Sequence, residues 1–125
     1  MASSQSTKRH RELNGLGIPR WFQGVRGVDM DHILERHCGV VDEDVSEFSP
    51  GVTGEQIRKW VERVLLAGVW QWDEKSGFLW RVSGEIHGQV VGATPVWGKR
   101  TKRYTSRMRV VIREDGYVIT AYPVF

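Results

Sequence analysis

Thr105-Ser106-Arg107-Met108-Arg109-Val110-Val111-Ile112-Arg113-Glu114-Asp115-Gly116-Tyr117-Val118-Ile119-Thr120-Ala121-Tyr122 is the stretch that decides the fold. Two runs of alternating residues flank Glu114-Asp115-Gly116, and Asp-Gly between such runs is the strongest local sign of a β-hairpin. With Asp115-Gly116 as the loop, Glu114 faces Tyr117, Ile112 faces Ile119, Val110 faces Ala121 and Arg109 faces Tyr122. Side chains alternate along a strand, so Met108, Val110, Ile112, Ile119 and Ala121 share an apolar face. Arg107, Arg109, Val111, Thr120 and Tyr122 share the other. Two guanidiniums, a hydroxyl and a phenol on a rigid platform suit a phosphate. On an ordinary edge hairpin the same arginines are simply solvated. A bulged three-residue loop would shift the register and redraw the two faces.

Just upstream, Lys99, Arg100, Lys102 and Arg103 join Arg107, Arg109 and Arg113 in a segment with no acidic residue. Trp97 and Tyr104 are interleaved with this block. Such a pattern suits a polyanion, most commonly nucleic acid, although a solvated basic loop reads the same way. Asp42, Glu43, Asp44 and Glu47 cluster elsewhere, so a net charge of only +3 hides a strong asymmetry.

Before the basic loop over residues 93–104, residues 86–92 read as a strand that holds His87. Short strands at 69–72 and 78–83 flank the turn 73–77, with Trp70, Trp72 and Trp80 as core or sheet-face residues. Thr53-Gly54-Glu55-Gln56 is a capping-box pattern, and Ile57, Trp60, Val61, Val64 and Leu65 continue it as a helical apolar stripe that Gly68 ends. Residues 39–50 form an acidic loop anchored by Phe48. Residues 28–38 read as a helix with Asp29 as N-cap, Met30, Ile33 and Leu34 at helical spacing, and Gly39 as the stop. Trp21-Phe22 pins the glycine-rich stretch before it. Residues 1–14 are polar and charged, and His10 belongs to this tail. Two units follow: a flexible leader or linker over 1–27 and one folded domain over 28–125. Helices first and successive strands after them predict an α+β domain, N-terminal helices packed on one face of a twisted antiparallel sheet.

A chain of 125 residues, 40% hydrophobic and 26% charged, fits one globular domain with a real core. No run of about 18 apolar residues predicts a transmembrane helix, and no apolar segment near the start reads as a secretory signal. The single cysteine, Cys38, rules out an internal disulfide and a cysteine-rich zinc site.

Histidine is the side chain suited to proton transfer near neutral pH. His32 and His37 stand five apart, so on a continuous helix they diverge by about 140°. That is not the spacing of a helical zinc pair. They meet in one cleft only if the helix ends near Arg36. Were they to meet, one would take the proton of the ribose 2′-OH and the other would give one to the leaving group, with no metal required. Thr120, Tyr122 and the arginines would hold the phosphate. No nucleophile elbow, P-loop or dinucleotide fingerprint is present.

Three further segments sharpen this reading: His32-Ile33-Leu34-Glu35-Arg36-His37, Phe48-Ser49-Pro50-Gly51-Val52-Thr53 opening a helix, and Gly116-Tyr117-Val118-Ile119-Thr120-Ala121-Tyr122-Pro123 after Met108-Arg109-Val110-Val111-Ile112. Over residues 30–125 the chain resembles the bacterial EndoU-like ribonucleases, toxin domains of polymorphic and contact-dependent inhibition systems. The resemblance implies an EndoU/barnase-like fold and RNA cleavage, often of tRNA, that leaves a 2′,3′-cyclic phosphate. It implies a secreted or delivered effector acting in the target-cell cytoplasm and a cognate immunity protein as partner. His32 maps as general acid, His37 as general base, and Thr120 and Tyr122 as phosphate and base contacts. Arg107, Arg109, Lys99, Arg100, Lys102 and Arg103 would bind RNA. No cofactor is implied, manganese being at most a stimulant. The chain departs from the family where His37 follows Arg36 without a glycine-rich lead-in, and where Val45-Ser46-Glu47-Phe48 replaces a lysine-bearing segment. Arg107 or Arg109 is the substitute cation. The rival readings are a catalytically weak or inactive RNA-binding domain and a protein-interaction domain that uses the acidic loop.

Overall fold

The computed structural model describes residues 11–40 and 42–125. The polar tail over 1–10, His10 included, and Val41 in the acidic loop lie outside the described residues. Among those described are two helices, α1 (Met30–His37) and α2 (Gly54–Ala67). Eight strands accompany them: β1 (Gly27–Val28), β2 (Glu47–Phe48), β3 (Val69–Asp73), β4 (Leu79–Glu85), β5 (Gly92–Pro95), β6 (Lys102–Thr105), β7 (Arg107–Arg113) and β8 (Tyr117–Val124). The fold is α+β.

The strands form two sheets rather than the single one expected. Five run in the order β1-β8-β7-β4-β3 and three in the order β2-β5-β6. All pairs are antiparallel except β1 with β8, which is parallel. The chain changes sheet at Ser106. There the Thr105 hydroxyl donates to the Val124 carbonyl at 2.6 Å and accepts the Arg107 N–H at 3.0 Å.

The β7–β8 hairpin follows neither simple register throughout. Gly116 has φ +90°, no described non-glycine residue has positive φ, and the Gly116 N–H reaches the Arg113 carbonyl at 2.9 Å. The loop is therefore Glu114-Asp115-Gly116, a turn closed by a left-handed glycine rather than the expected two-residue loop. This moves Ile112 opposite Val118. A bulge at Ile119 then restores the expected pairing, Val111 with Thr120, Val110 with Ala121 and Arg109 with Tyr122. Val118, not Ile119, consequently enters the core beside Met108, Val110, Ile112 and Ala121, while Ile119 is only half-buried.

Both helices start where their caps predict. The Asp29 carboxylate accepts the His32 N–H at 3.2 Å, and the Thr53 hydroxyl accepts the Gln56 N–H at 3.2 Å. The α2 stripe Ile57, Trp60, Val61, Val64 and Leu65 is buried against the inner face of the larger sheet. The Trp70 indole N–H donates to the Leu65 carbonyl at 3.0 Å, so that tryptophan both fills the core and ties β3 to α2. Trp80 is buried and Trp72 packs against the same cluster.

Three expected elements change. The strand expected over 86–92 is not formed there; the chain turns, with the Gln89 N–H on the Ile86 carbonyl at 3.3 Å, the Val91 N–H reaches the Thr105 carbonyl at 2.9 Å, and β5 begins at Gly92. The segment expected as a long basic loop is instead the β5–β6 hairpin, closed by Val96 N–H to Thr101 carbonyl at 3.0 Å. Within the expected leader, residues 11–27 lie on the domain: Ile18 is buried, Trp21 and Phe22 pack edge-on and tilted against Trp70, and Gly27 begins β1.

Candidate functional site

The outer face of the larger sheet carries a row set by register: Val69 beside Ser83, Ser83 beside Arg109, Arg109 beside Tyr122. The Arg109 Nε donates to the Ser83 hydroxyl at 3.1 Å, which fixes the guanidinium on the sheet. Over the end of this row lies His37, the last residue of α1. Its ring is stacked on Tyr122, centroids 5.3 Å apart and planes inclined by 28°.

His37 is 8% exposed. Its Nδ1 donates to the Ser46 carbonyl at 2.8 Å, a bond that only a protonated Nδ1 can make. In the neutral ring this leaves Nε2 with its lone pair. Burial pushes the His37 pKa down, against the raising effect of the Ser46 carbonyl and with smaller contributions from the Arg36 and His32 charges. The result is a neutral imidazole with Nδ1 anchored and the lone pair on Nε2.

The Ser46 segment is itself tied down. The Ser46 hydroxyl shares a 2.9 Å hydrogen bond with the Thr94 hydroxyl of β5, and Lys102 Nζ pairs with Glu47 at 3.4 Å. Gly92, paired with Phe48, permits this approach. A Cβ there would run into the Glu47 carbonyl and meet the Pro123 ring at 2.6 Å.

Of the residues singled out from sequence, the fold brings together His37, Tyr122 and Arg109. Thr120 lies one row along, opposite Val111, with its hydroxyl oxygen shielded from solvent and without a hydrogen-bond partner among the described residues. His32 is exposed near the start of α1, about 140° around the helix from His37, because the helix runs on through His37. Arg107 lines a cleft of about 340 Å³ with Arg63, Glu85 and His87, which adjoins the row at Val69 and Ser83. Lys102 is committed to Glu47, and the Arg103 guanidinium lies over the Phe125 ring at 5.8 Å. Lys99 and Arg100 are exposed at the tip of the β5–β6 hairpin. Sequence reasoning missed Ser46, Ser83 and Thr94. A backbone carbonyl leaves no trace in residue type, and lone serines and threonines carry no spacing signal.

Among the described residues no three His, Cys, Asp or Glu side chains gather as a metal site, and no helix is long and apolar enough to cross a membrane. Cys38, next to His37, has its thiol pKa pushed up by burial, which disfavours a thiolate nucleophile. Set against protein-family models, curated proteins and solved structures, the chain matches none.

Proposed function

We propose that the chain is a metal-independent endoribonuclease of the EndoU-like kind, a delivered toxin domain that acts on RNA, tRNA included, in a target-cell cytoplasm and is neutralised by an immunity protein. The observation that carries the reading is the His37 ring, anchored through Nδ1 on Ser46 and stacked on Tyr122 beside the fixed Arg109. In this reading Nε2 takes the proton of a ribose 2′-OH, the 2′-oxygen attacks phosphorus, and the 5′-oxygen leaves with a proton from water. Arg109 and the Tyr122 phenol hold the phosphate oxygens as charge builds on them. The α+β architecture, with the patch on the terminal hairpin, is compatible with an EndoU/barnase-like arrangement.

His32 is assigned no chemical step, because it lies away from the patch. Cleavage of end-labelled tRNA in EDTA by wild type, His32→Ala and His37→Ala is the test. His37→Ala should lose about 10²–10⁴-fold, the usual contribution of a general base, while His32→Ala stays within a few-fold of wild type. Equal activity of His37→Ala and wild type would overturn the assignment.

The same separation of the histidines favours one alternative, an RNA-binding domain without catalysis. It needs no second histidine at the patch, and it predicts salt-dependent RNA affinity with no strand scission.

A further inference from the structure

Trp97 is 99% exposed at the tip of the β5–β6 hairpin. A solitary exposed apolar residue needs no explanation, but this one is not solitary. Tyr104, on β6 of the same hairpin, is 77% exposed. A cleft of about 450 Å³ opens at the tip, lined by Pro95, Val96, Trp97, Lys99 and Arg100, with Asp44 as its one acidic group. Arg103 is exposed between the two aromatics in sequence. The tip is a defined turn, with Val96 N–H on the Thr101 carbonyl and Lys99 N–H on the Val96 carbonyl, each at 3.0 Å. The arm therefore presents its rings from a fixed frame.

Flat aromatic faces flanked by cations fit one kind of polyanion best. Base faces are hidden inside a duplex and available in a single strand, where each stacks on an aromatic ring while lysine and arginine follow the phosphates. The base of the arm is also joined to the His37 patch. Thr94 of β5 is bonded to the Ser46 hydroxyl, and the Ser46 carbonyl holds His37.

We propose that the β5–β6 hairpin is a grip for single-stranded RNA, with bases stacked on Trp97 and Tyr104 and phosphates held by Lys99 and Arg100. This rests on the RNA reading above and adds to it the arm that holds the strand, joined at its base to the His37 patch.

Binding is measured with the full chain, by fluorescence anisotropy at low salt, on a 2′-O-methyl oligouridine and on a 2′-O-methyl RNA duplex of equal length. Neither probe has the 2′-hydroxyl nucleophile, so binding is read whether or not the protein cleaves RNA. Wild type should prefer the single strand. Trp97→Ala should weaken single-strand binding about tenfold, within the range of one base–aromatic stack, and leave the duplex unchanged. Trp97→Phe should keep most of the affinity. Because the side chain is fully exposed, neither variant threatens folding. A preference for duplex, or single-strand affinity untouched by Trp97→Ala, would overturn the grip even if tRNA cleavage persists. Loss on Trp97→Ala of binding to anionic phospholipid vesicles, with RNA binding unchanged, would overturn it in favour of a membrane surface. Trp97-dependent single-strand binding without any cleavage would support the grip and sink the nuclease.

Discussion

His37 is held through two different parts of its chemistry. The Ser46 carbonyl fixes the proton on Nδ1, and burial disfavours adding a second proton on Nε2. The consequence for stability has a definite sign. In the unfolded chain the ring titrates near its ordinary value, about 6.5, and in the folded protein lower. Between those values the unfolded state binds more protons, so the contribution of neutral His37 is complete above about pH 6.5 and is lost as pH falls through the folded value. Urea midpoints at pH 7 and pH 5 should therefore fall further for wild type than for His37→Gln. An equal fall in both would show that His37 is not held neutral. At this scale the sequence was informative about chemistry and silent about anchoring. Alternation along β7 and β8 put Arg109 and Tyr122 on one face, and the five-residue spacing already implied that two histidines on a continuous helix diverge. That α1 runs through His37 was in the local pattern, which set its stop at Gly39; that a loop carbonyl waits at its end follows from packing of β2 on β5, which no local pattern encodes.

At the scale of elements, the caps and the apolar stripe made α1 and α2 legible, because those signals are local. The terminal hairpin was legible in its pairing and misread in its core. Gly116 takes the left-handed conformation that Asp115 does not, which adds a loop residue, and the bulge at Ile119 removes the shift again. Two compensating irregularities leave the distal pairing as expected yet exchange Ile119 for Val118 inside. The β5–β6 hairpin was hidden because its tip, Trp97-Gly98, is not a strong turn dipeptide and its arms are basic or polar rather than alternating. Two substitutions separate stability from site geometry. Thr53→Ala removes the α2 cap and should cost about 0.5–2 kcal/mol in chemical denaturation while leaving RNA cleavage unchanged below the transition. Gly92→Ala should cost a comparable about 1–3 kcal/mol through overpacking, but it also parts β2 from β5 and so displaces Ser46. Its cleavage should fall even where the protein is folded. Gly92→Ala protein that is folded and fully active would contradict the link from β5 through Ser46 to His37.

Charge is divided between an acidic loop at 42–47 and a basic arm and sheet face, and among the described residues one ion pair joins them, Lys102 with Glu47. Arg81 and Arg113 are neutralised on the sheet by Asp73 and Asp115. Lys99 and Arg100 at the hairpin tip and Arg109 beside His37 enter no ion pair among the described residues. These cations, more than the net charge, meet the RNA on the proposed function. On the proposed function His37 starts the cleavage by taking the 2′-hydroxyl proton, and the end group left on the RNA reports this step directly. Purified protein incubated with total tRNA in EDTA should yield fragments that end in 2′,3′-cyclic phosphate, and His37→Ala should yield none. Intact tRNA, both in EDTA and after addition of manganese, or fragments with 3′-hydroxyl ends, would contradict it.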